Sequence, residues 1–304
     1  MTGPVVVLGA GGFIGRHLAE AVAASGIPVI AATRRAERFL HPGITNVTAA
    51  FDREADFLPL LAHSSAVIHA ASISTPGSSA AQPQLEGNLR TTLALIEALQ
   101  ASPGKRLVYL SSGGTLYGDR ERSAHEDDPL RPRSYHGAGK AAAEHFVHAW
   151  AMQFNGTAVL LRPSNVYGPG QLPRRGFGII PTAFDCTRSG TSLTIWGDGS
   201  AIRDYLYVDD LTTLCQAVLA HALLPGAHTF NASWGKGITL DGLLDAIDAT
   251  TMHPLKRDYQ RPREVDVRQI VPDSAAARDT FDWRPAVALE QGLQRTWLWF
   301  TSLP

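Results

Sequence analysis

Short runs of apolar, often β-branched residues recur along the first half of the chain, each followed by a polar or glycine-rich break. Val5-Val6-Val7-Leu8, Val29-Ile30-Ala31-Ala32, Ala66-Val67-Ile68-His69, Leu107-Val108-Tyr109-Leu110 and Ala158-Val159-Leu160-Leu161 lack the apolar–polar alternation of a half-exposed strand. They predict strands buried on both faces. Between them a helical spacing takes over from Arg16 to Ser25, closed by Gly26, and again at about 84–100 and 137–154. Strand and helix in regular alternation predict an α/β chain with a doubly wound, mostly parallel sheet covered by helices on both faces. After Asn165 the texture loosens: Gly168–Pro173 is loop-like, and the later strands and helices are shorter. The expected organisation is a first domain over 1–165, to which some later segments return, and a smaller α/β lobe over 166–304. There is no internal repeat or low-complexity tract.

Composition narrows the function classes. With 304 residues, 44% of them hydrophobic and 18% charged, the chain is expected to be an ordinary globule with a sizeable core. Lys plus Arg number 27 against 28 Asp plus Glu, a net charge of −1, which argues against nonspecific nucleic-acid binding. Two cysteines, Cys186 and Cys215, make no disulfide framework and fit a reducing cytoplasm. No apolar stretch reaches the roughly 18 residues of a membrane span, and the start lacks the basic segment of a signal peptide. The 11 histidines include no His-Glu-x-x-His and the cysteines no Cys-x-x-Cys, so no metal site is expected. Glu144, His145 and His148 crowd one helix and read as an exposed or interfacial face, and Arg174 and Arg175 as loop charges.

The first strand runs into Gly9-Ala10-Gly11-Gly12-Phe13-Ile14-Gly15 and then a helix. The spacing Gly9-x-x-Gly12-x-x-Gly15 allows a tight turn, close approach of backbone to a pyrophosphate and close packing of helix on sheet. The helix start adds free N–H groups and a positive dipole end. Between a strand and a helix this is the context of a Rossmann-type dinucleotide site. The second strand ends in Thr33-Arg34-Arg35 rather than in an acidic residue. Arginines there suit a 2′-phosphate, so NADP(H) is expected in preference to NAD(H).

From these residues onward the chain resembles the extended short-chain dehydrogenase/reductase family, specifically its NAD(P)-dependent nucleotide-sugar epimerases and dehydratases. The motifs follow the family's order: the 9–15 loop, Val67–Ala71, Asn88, Ser111–Gly118, Leu161–Gly168, Gly197-Asp198-Gly199, Arg203–Asp210 and Arg261-Pro262. The resemblance implies a nicotinamide cofactor contacted by Gly9, Gly11, Gly12, Phe13, Ile14, Gly15, Thr33, Arg34, Arg35, Asp52, Ala70, Ala71, Asn88, Lys140 and Pro163. It implies a nucleoside-diphosphate sugar held by Asn165, Arg203 and Arg261, with arginine forks on the phosphates. It also implies a homodimer whose helices at 84–100 and 137–154 pair as a four-helix bundle. Leu89, Leu93, Ile96, Phe146, Val147 and Trp150 supply apolar material for that interface or for sheet packing.

In the family a tyrosine four residues before a lysine takes the sugar hydroxyl proton. Here the segment reads Ser134-Tyr135-His136-Gly137-Ala138-Gly139-Lys140, so the tyrosine position holds His136. Three readings stand: His136 is the proton acceptor, a shifted helix start brings Tyr135 into the site, or the site only binds. An ideal helix points Tyr135 and Lys140 about 140° apart. The family's serine position, four before Tyr117, holds Gly113. Its hydroxyl role falls to Thr115 or Ser112. The leading expectation is an epimerase-type isomerase that regenerates its cofactor. A dehydratase is disfavoured by Gly113-Gly114-Thr115, which lacks an acidic pair. An NADPH-dependent reductase and a non-catalytic binding protein are the alternatives.

Overall fold

The computed structural model describes residues 3–72, 81–174 and 178–303. Six strands come from the first half: β1 (Val5–Leu8), β2 (Val29–Thr33), β3 (Ile44–Thr48), β4 (Ala66–His69), β5 (Arg106–Leu110) and β6 (Thr157–Pro163). Four short strands follow, β7 (Asn165–Tyr167), β8 (Leu193–Trp196), β9 (Ile202–Arg203) and β10 (Tyr205–Tyr207), and then β11 (Gly226–Ala232). The last three are β12 (Ile238–Thr239), β13 (Arg257–Gln260) and β14 (Gln269–Ile270). The main sheet has seven parallel strands in the order β11-β6-β5-β4-β1-β2-β3. Strand β11 thus returns from the second half of the chain to extend the sheet beside β6.

Side chains leave the two faces alternately, as the pleat requires. Val5, Val7, Ile68, Val108 and Val159 enter one core with α1 (Phe13–Ala24), where they meet Leu18 and Val22. Val6, Leu8, Val67, Leu107 and Leu160 enter the other. There they meet α2 (Glu54–Leu61) through Phe57 and Leu61. A continuous helix on that face runs from α3 (Gln82–Gln84) through a π-helical stretch, Leu85–Leu89, into α4 (Arg90–Gln100), which contributes Leu95 and Leu99. The short α5 (Gly113–Leu116) follows β5, and α6 (Tyr135–Gln153) adds Val147 and Trp150 to the same core. Val147, Trp150 and Ile96 are therefore sheet-packing residues, while Phe146 is left exposed.

The remaining helices are α7 (Ile179–Ser189), α8 (Val208–Ala220), α9 (Leu240–Thr251), α10 (Ala275–Phe281) and α11 (Leu289–Thr301). Helix α8 returns to the first core through Leu211 and Cys215. A separate core of Tyr167, Phe184, Ile195, Leu244, Leu293 and Phe300 holds α7, α9, α11 and β8 together.

Three elements differ from the expectation. Strand β3 and helix α2 were not visible in the pattern: Ile44-Thr45-Asn46-Val47-Thr48 is a partly exposed edge strand with apolar residues three apart, and α2 carries Pro59. Helix α6 begins at Tyr135, two residues before the expected Gly137, because the Ser134 hydroxyl accepts the Gly137 N–H at 3.2 Å and acts as its N-cap.

A buried ion pair crosses these layers. Arg162 of β6, 5% exposed, meets Glu144 of α6, 2% exposed, through Nε–Oε1 at 3.0 Å and Nη2–Oε2 at 2.7 Å. Its Nη1 donates to the Tyr117 hydroxyl at 2.8 Å, and that hydroxyl donates to Asn231 Oδ1 of β11 at 2.7 Å. Glu144 is thus buried, not part of an exposed charged face. Truncating Arg162→Ala is expected to cost about 3–5 kcal/mol, because it leaves a buried carboxylate unpaired. Replacing both partners, Arg162→Met with Glu144→Leu, is expected to recover most of that loss. Urea unfolding of the three proteins measures both.

Candidate active site

The chain leaves β1 toward β2 and β3 on one side and comes back to β4 on the other. This reversal opens a crevice at the carboxyl ends of the strands, where doubly wound sheets bind their ligands. Gly9 ends β1 with φ +88°, and a Cβ there would stand 2.7 Å from the Ala71 backbone. A Cβ on Gly15 would stand 2.1 Å from the Gly9 carbonyl oxygen. Both positions exclude any other residue, and together they seat the start of α1 against the strand end. Gly12 is the N-cap of α1 and offers no side-chain acceptor, so the first-turn N–H groups are left for a ligand. Gly11, Gly12, Phe13, Ile14, Gly15 and Ala70 line a cavity of about 670 Å³. An uncapped, glycine-framed helix start fits a dinucleotide pyrophosphate.

The cavity continues past α6. His136 and Lys140 stand one helical turn apart, 8% and 4% exposed, and both line it. Lys140 Nζ donates to the Leu110 carbonyl at 2.7 Å and lies 4.8 Å from the centre of the Tyr109 ring. Burial brings its pKa down to about 8, opposed by the Glu144 carboxylate. His136 is lowered to about 4, first by burial and then by the Lys140 charge, so its imidazole is neutral at physiological pH. Ser111, Ser112 and Thr115 line the same wall. The hydroxyls of Ser111 and Thr115 are buried with no hydrogen-bond partner, a cost that a bound hydroxyl or amide would remove.

Tyr135 points away. It is 51% exposed and is not part of the cavity wall, so the helix start does not rotate it into the site. Gly113 also has a physical reason. A Cβ there would lie 2.7 Å from the Arg162 carbonyl oxygen and 2.9 Å from Pro272, so no serine fits where the family places one. The hydroxyls on either side remain.

On the sugar side, Asn165 and Arg203 line the cavity. Asn165 Nδ2 donates to the Asp204 carbonyl at 2.9 Å. Arg203 donates to the carbonyls of Ile202, at 2.8 Å, and Val267, so part of its fork is committed to the fold. Arg261 is exposed and stands outside the wall. The cavity edge past β13 is formed by Arg263, which pairs with Asp266 at 2.7 Å and lies 5.4 Å from the centre of the Trp196 ring. Arg174, read from sequence as a loop charge, also lines the cavity, whereas Arg175 lies outside the described residues. Only tertiary packing brings residues 174, 196, 203 and 263 to one wall, so no local motif announced them.

The other expected cofactor contacts divide. Pro163 lines the cavity. Ala71 packs on Gly9 just behind it. Thr33 is buried and engaged, donating to the Arg35 carbonyl at 2.6 Å and accepting from Asn46 at 2.8 Å. Arg34 and Arg35 are exposed at the strand end. Asn88 is buried in the π-helical stretch and donates to Gln84 at 3.0 Å, and Asp52 is loosely paired with Arg53 at 3.7 Å; neither lines the cavity. Among the described residues, no group of three His, Cys, Asp or Glu is placed to hold a metal ion. Among the same described residues, no helix is long and apolar enough to cross a membrane.

A doubly wound sheet, a glycine-framed helix start at its switch point and a buried lysine one turn from a second titratable group define a nicotinamide-dinucleotide enzyme of the α/β class. The chain belongs to the NAD dependent epimerase/dehydratase family, whose model matches residues 5–233. It is 31% identical to the UDP-glucose 4-epimerase of Mycolicibacterium smegmatis, with 96% of each chain covered. It is 29% identical to a dTDP-4-dehydro-6-deoxyglucose reductase of Escherichia coli over 68% of this chain and 65% of that one. Among solved structures, MoeE5 in complex with UDP-glucuronic acid and NAD superposes with a TM-score of 0.90 at 27% identity, covering 98% of this chain and 99% of the other. The Thermus thermophilus UDP-glucose 4-epimerase complex with NAD gives the same TM-score, identity and coverage.

Burial of two imidazoles, His69 and His136, makes stability depend on acid. His69, lowered to about 3, and His136, lowered to about 4, bind protons less readily folded than unfolded. Their contribution is complete above the ordinary histidine pKa of about 6.5 and is lost as pH falls toward the folded values. Unfolding midpoints in urea are expected to fall between pH 7.5 and 5, less steeply in His136→Gln.

Proposed function

We propose that the protein is an epimerase-type isomerase of nucleoside-diphosphate sugars, with His136 as the group that takes and returns the sugar hydroxyl proton. The observation that carries this reading is the placement of His136, Lys140 and Thr115 in one cavity, between the glycine loop and an edge bearing Arg174, Arg203 and Arg263. A bound nicotinamide supplies reversible hydride exchange with the sugar carbon. As a neutral imidazole, His136 carries one unprotonated ring nitrogen, the atom that accepts the proton. Burial and the Lys140 charge disfavour the imidazolium, so the proton is held briefly and goes back to the same oxygen, which suits a cycle with no net redox change. Thr115, with its unsatisfied hydroxyl, and secondarily Ser112 orient the sugar oxygen. Asn165, Arg203 and the cavity-edge arginines hold the diphosphate, and residues 166–304 mainly serve that substrate side. The UDP-sugar relatives support this substrate class.

A reductase using NADPH is the second reading, favoured by Arg34-Arg35 and by the reductase relative. Exposed Leu85 and Phe146, at 50% and 45%, support pairing of two copies through the continuous helix from α3 to α4 and through α6, in a reducing cytoplasm that keeps Cys186 and Cys215 free. Sedimentation at micromolar concentration is expected to give a dimer, and a monomer alone rejects that pairing.

Proton NMR of UDP-, dTDP- and GDP-sugars incubated with the protein and either nicotinamide cofactor tests the activity. His136→Ala is expected to lose about 100- to 10,000-fold in turnover, the usual share of acid–base catalysis. Tyr135→Phe is expected to stay close to the parent rate. Absence of turnover for every sugar, with cofactor still bound, would replace the enzyme reading by a binding protein.

A further inference from the structure

The acidic residue missing from the end of β2 is supplied from elsewhere. Glu37, four positions beyond Thr33, folds back so that its side chain lies against the glycine loop: a Cβ on Gly11 would stand 3.3 Å from Glu37 Cγ and 3.4 Å from Oε1. Asn46 of β3 holds the segment in that path. Its Oδ1 accepts the Glu37 N–H at 2.9 Å, while its Nδ2 donates to the Ala31 carbonyl at 2.8 Å and to Thr33 Oγ1 at 2.8 Å. The other carboxylate oxygen of Glu37, Oε2, pairs with Arg16 Nη2 at 2.6 Å. Arg16 is in turn fixed by the Arg38 carbonyl at 2.7 Å and by the Phe39 ring, 4.9 Å from its guanidinium carbon. A carboxylate paired with Arg16, on a backbone held by Asn46, thus stands beside Gly11, while Arg34 and Arg35 are exposed at the strand end.

The glycine loop and the end of β2 bound the adenosine side of a dinucleotide site, where a carboxylate about 20 residues beyond the loop reads the ribose hydroxyls. Glu37 follows Gly15 by 22 positions. We propose that Glu37, oriented by Asn46 and Arg16, is the residue that discriminates at the 2′ position of the adenosine ribose, and that it opposes Arg34 and Arg35. Its Oε1 accepts from a free ribose diol and repels a 2′-phosphate, whereas the two arginines attract the phosphate. The two charge sets offset each other, so the site takes both NAD(H) and NADP(H), and the arginines alone do not decide the preference. This rests on the reading of the cavity as a nicotinamide dinucleotide site.

Titration of the intact protein with NADH and NADPH, followed by nicotinamide fluorescence or calorimetry, measures the two Kd values without any turnover. Glu37→Gln is expected to shift the ratio of NADH to NADPH Kd toward NADPH by about five- to tenfold, the scale of one close, partly screened charge contact. The shift is expected to shrink in high salt, as a charge effect between part-exposed groups does. Arg34→Ser with Arg35→Ser is expected to move the ratio the opposite way. An unchanged ratio in Glu37→Gln, or an equal loss of both cofactors, overturns the proposal. Failure of the parent protein to bind either cofactor would instead overturn the dinucleotide reading beneath it.

Discussion

The buried contact between Arg162 and Glu144 is the constraint on which the site depends. Strand β6 and helix α6 are brought together by apolar packing of Val147 and Trp150, which is not directional enough to set the rotation of the helix. A bidentate ion pair is. With Glu144 pinned, Lys140 and His136, one and two turns earlier on the same face, must point into the crevice, and Tyr135, a step of roughly 100° away, must point out. The same guanidinium reaches the Tyr117 hydroxyl and the Glu126 carbonyl, at 2.8 and 2.9 Å, so the helix, the strand and the segment after α5 share one polar hub. A Cβ at Gly113 would meet the Arg162 carbonyl, which ties the missing serine to this close approach.

A second theme is polarity left unsatisfied on one wall. The protein tolerates buried hydroxyls without partners at Ser111 and Thr115, an uncapped helix start at Gly12 and a lysine whose pKa is drawn down toward neutrality. Each costs stability in isolation. Ser111, Thr115, Gly12 and Lys140 line the same cavity, where a bound dinucleotide or hydroxyl would relieve each of them. Elsewhere buried charge is matched locally. Asp204, with no exposed surface, accepts the N–H groups of Trp234, Gly235 and Lys236 at 2.7–3.0 Å and thereby locks the loop after β11 beside β10.

How much of this was legible in sequence depended on how local each signal was. Strands β1 and β4 were visible to the residue because both faces are buried and the apolar run has the length of the strand. Strand β3 was not, since an edge strand with one wet face and an asparagine at its centre carries no run to see. That asparagine, Asn46, holds the backbone of Glu37, whose side chain lies beside Gly11. The glycine loop was legible because its chemistry is local and its spacing is dictated by a collision of backbone atoms. That a histidine, His136, stands four residues before Lys140 was likewise readable by counting.

By itself, then, the amino-acid sequence determined the α/β alternation, the dinucleotide loop and the family, because each is encoded within a few neighbouring residues. Tertiary structure alone decided what distant segments do to one another. It excluded Tyr135 from the site, moved the cavity-edge cation from Arg261 to Arg263, buried Glu144 against Arg162 and set Glu37 against Gly11. A side chain's charge and reach are written at its own position, but its partners are chosen by how the chain folds back on itself.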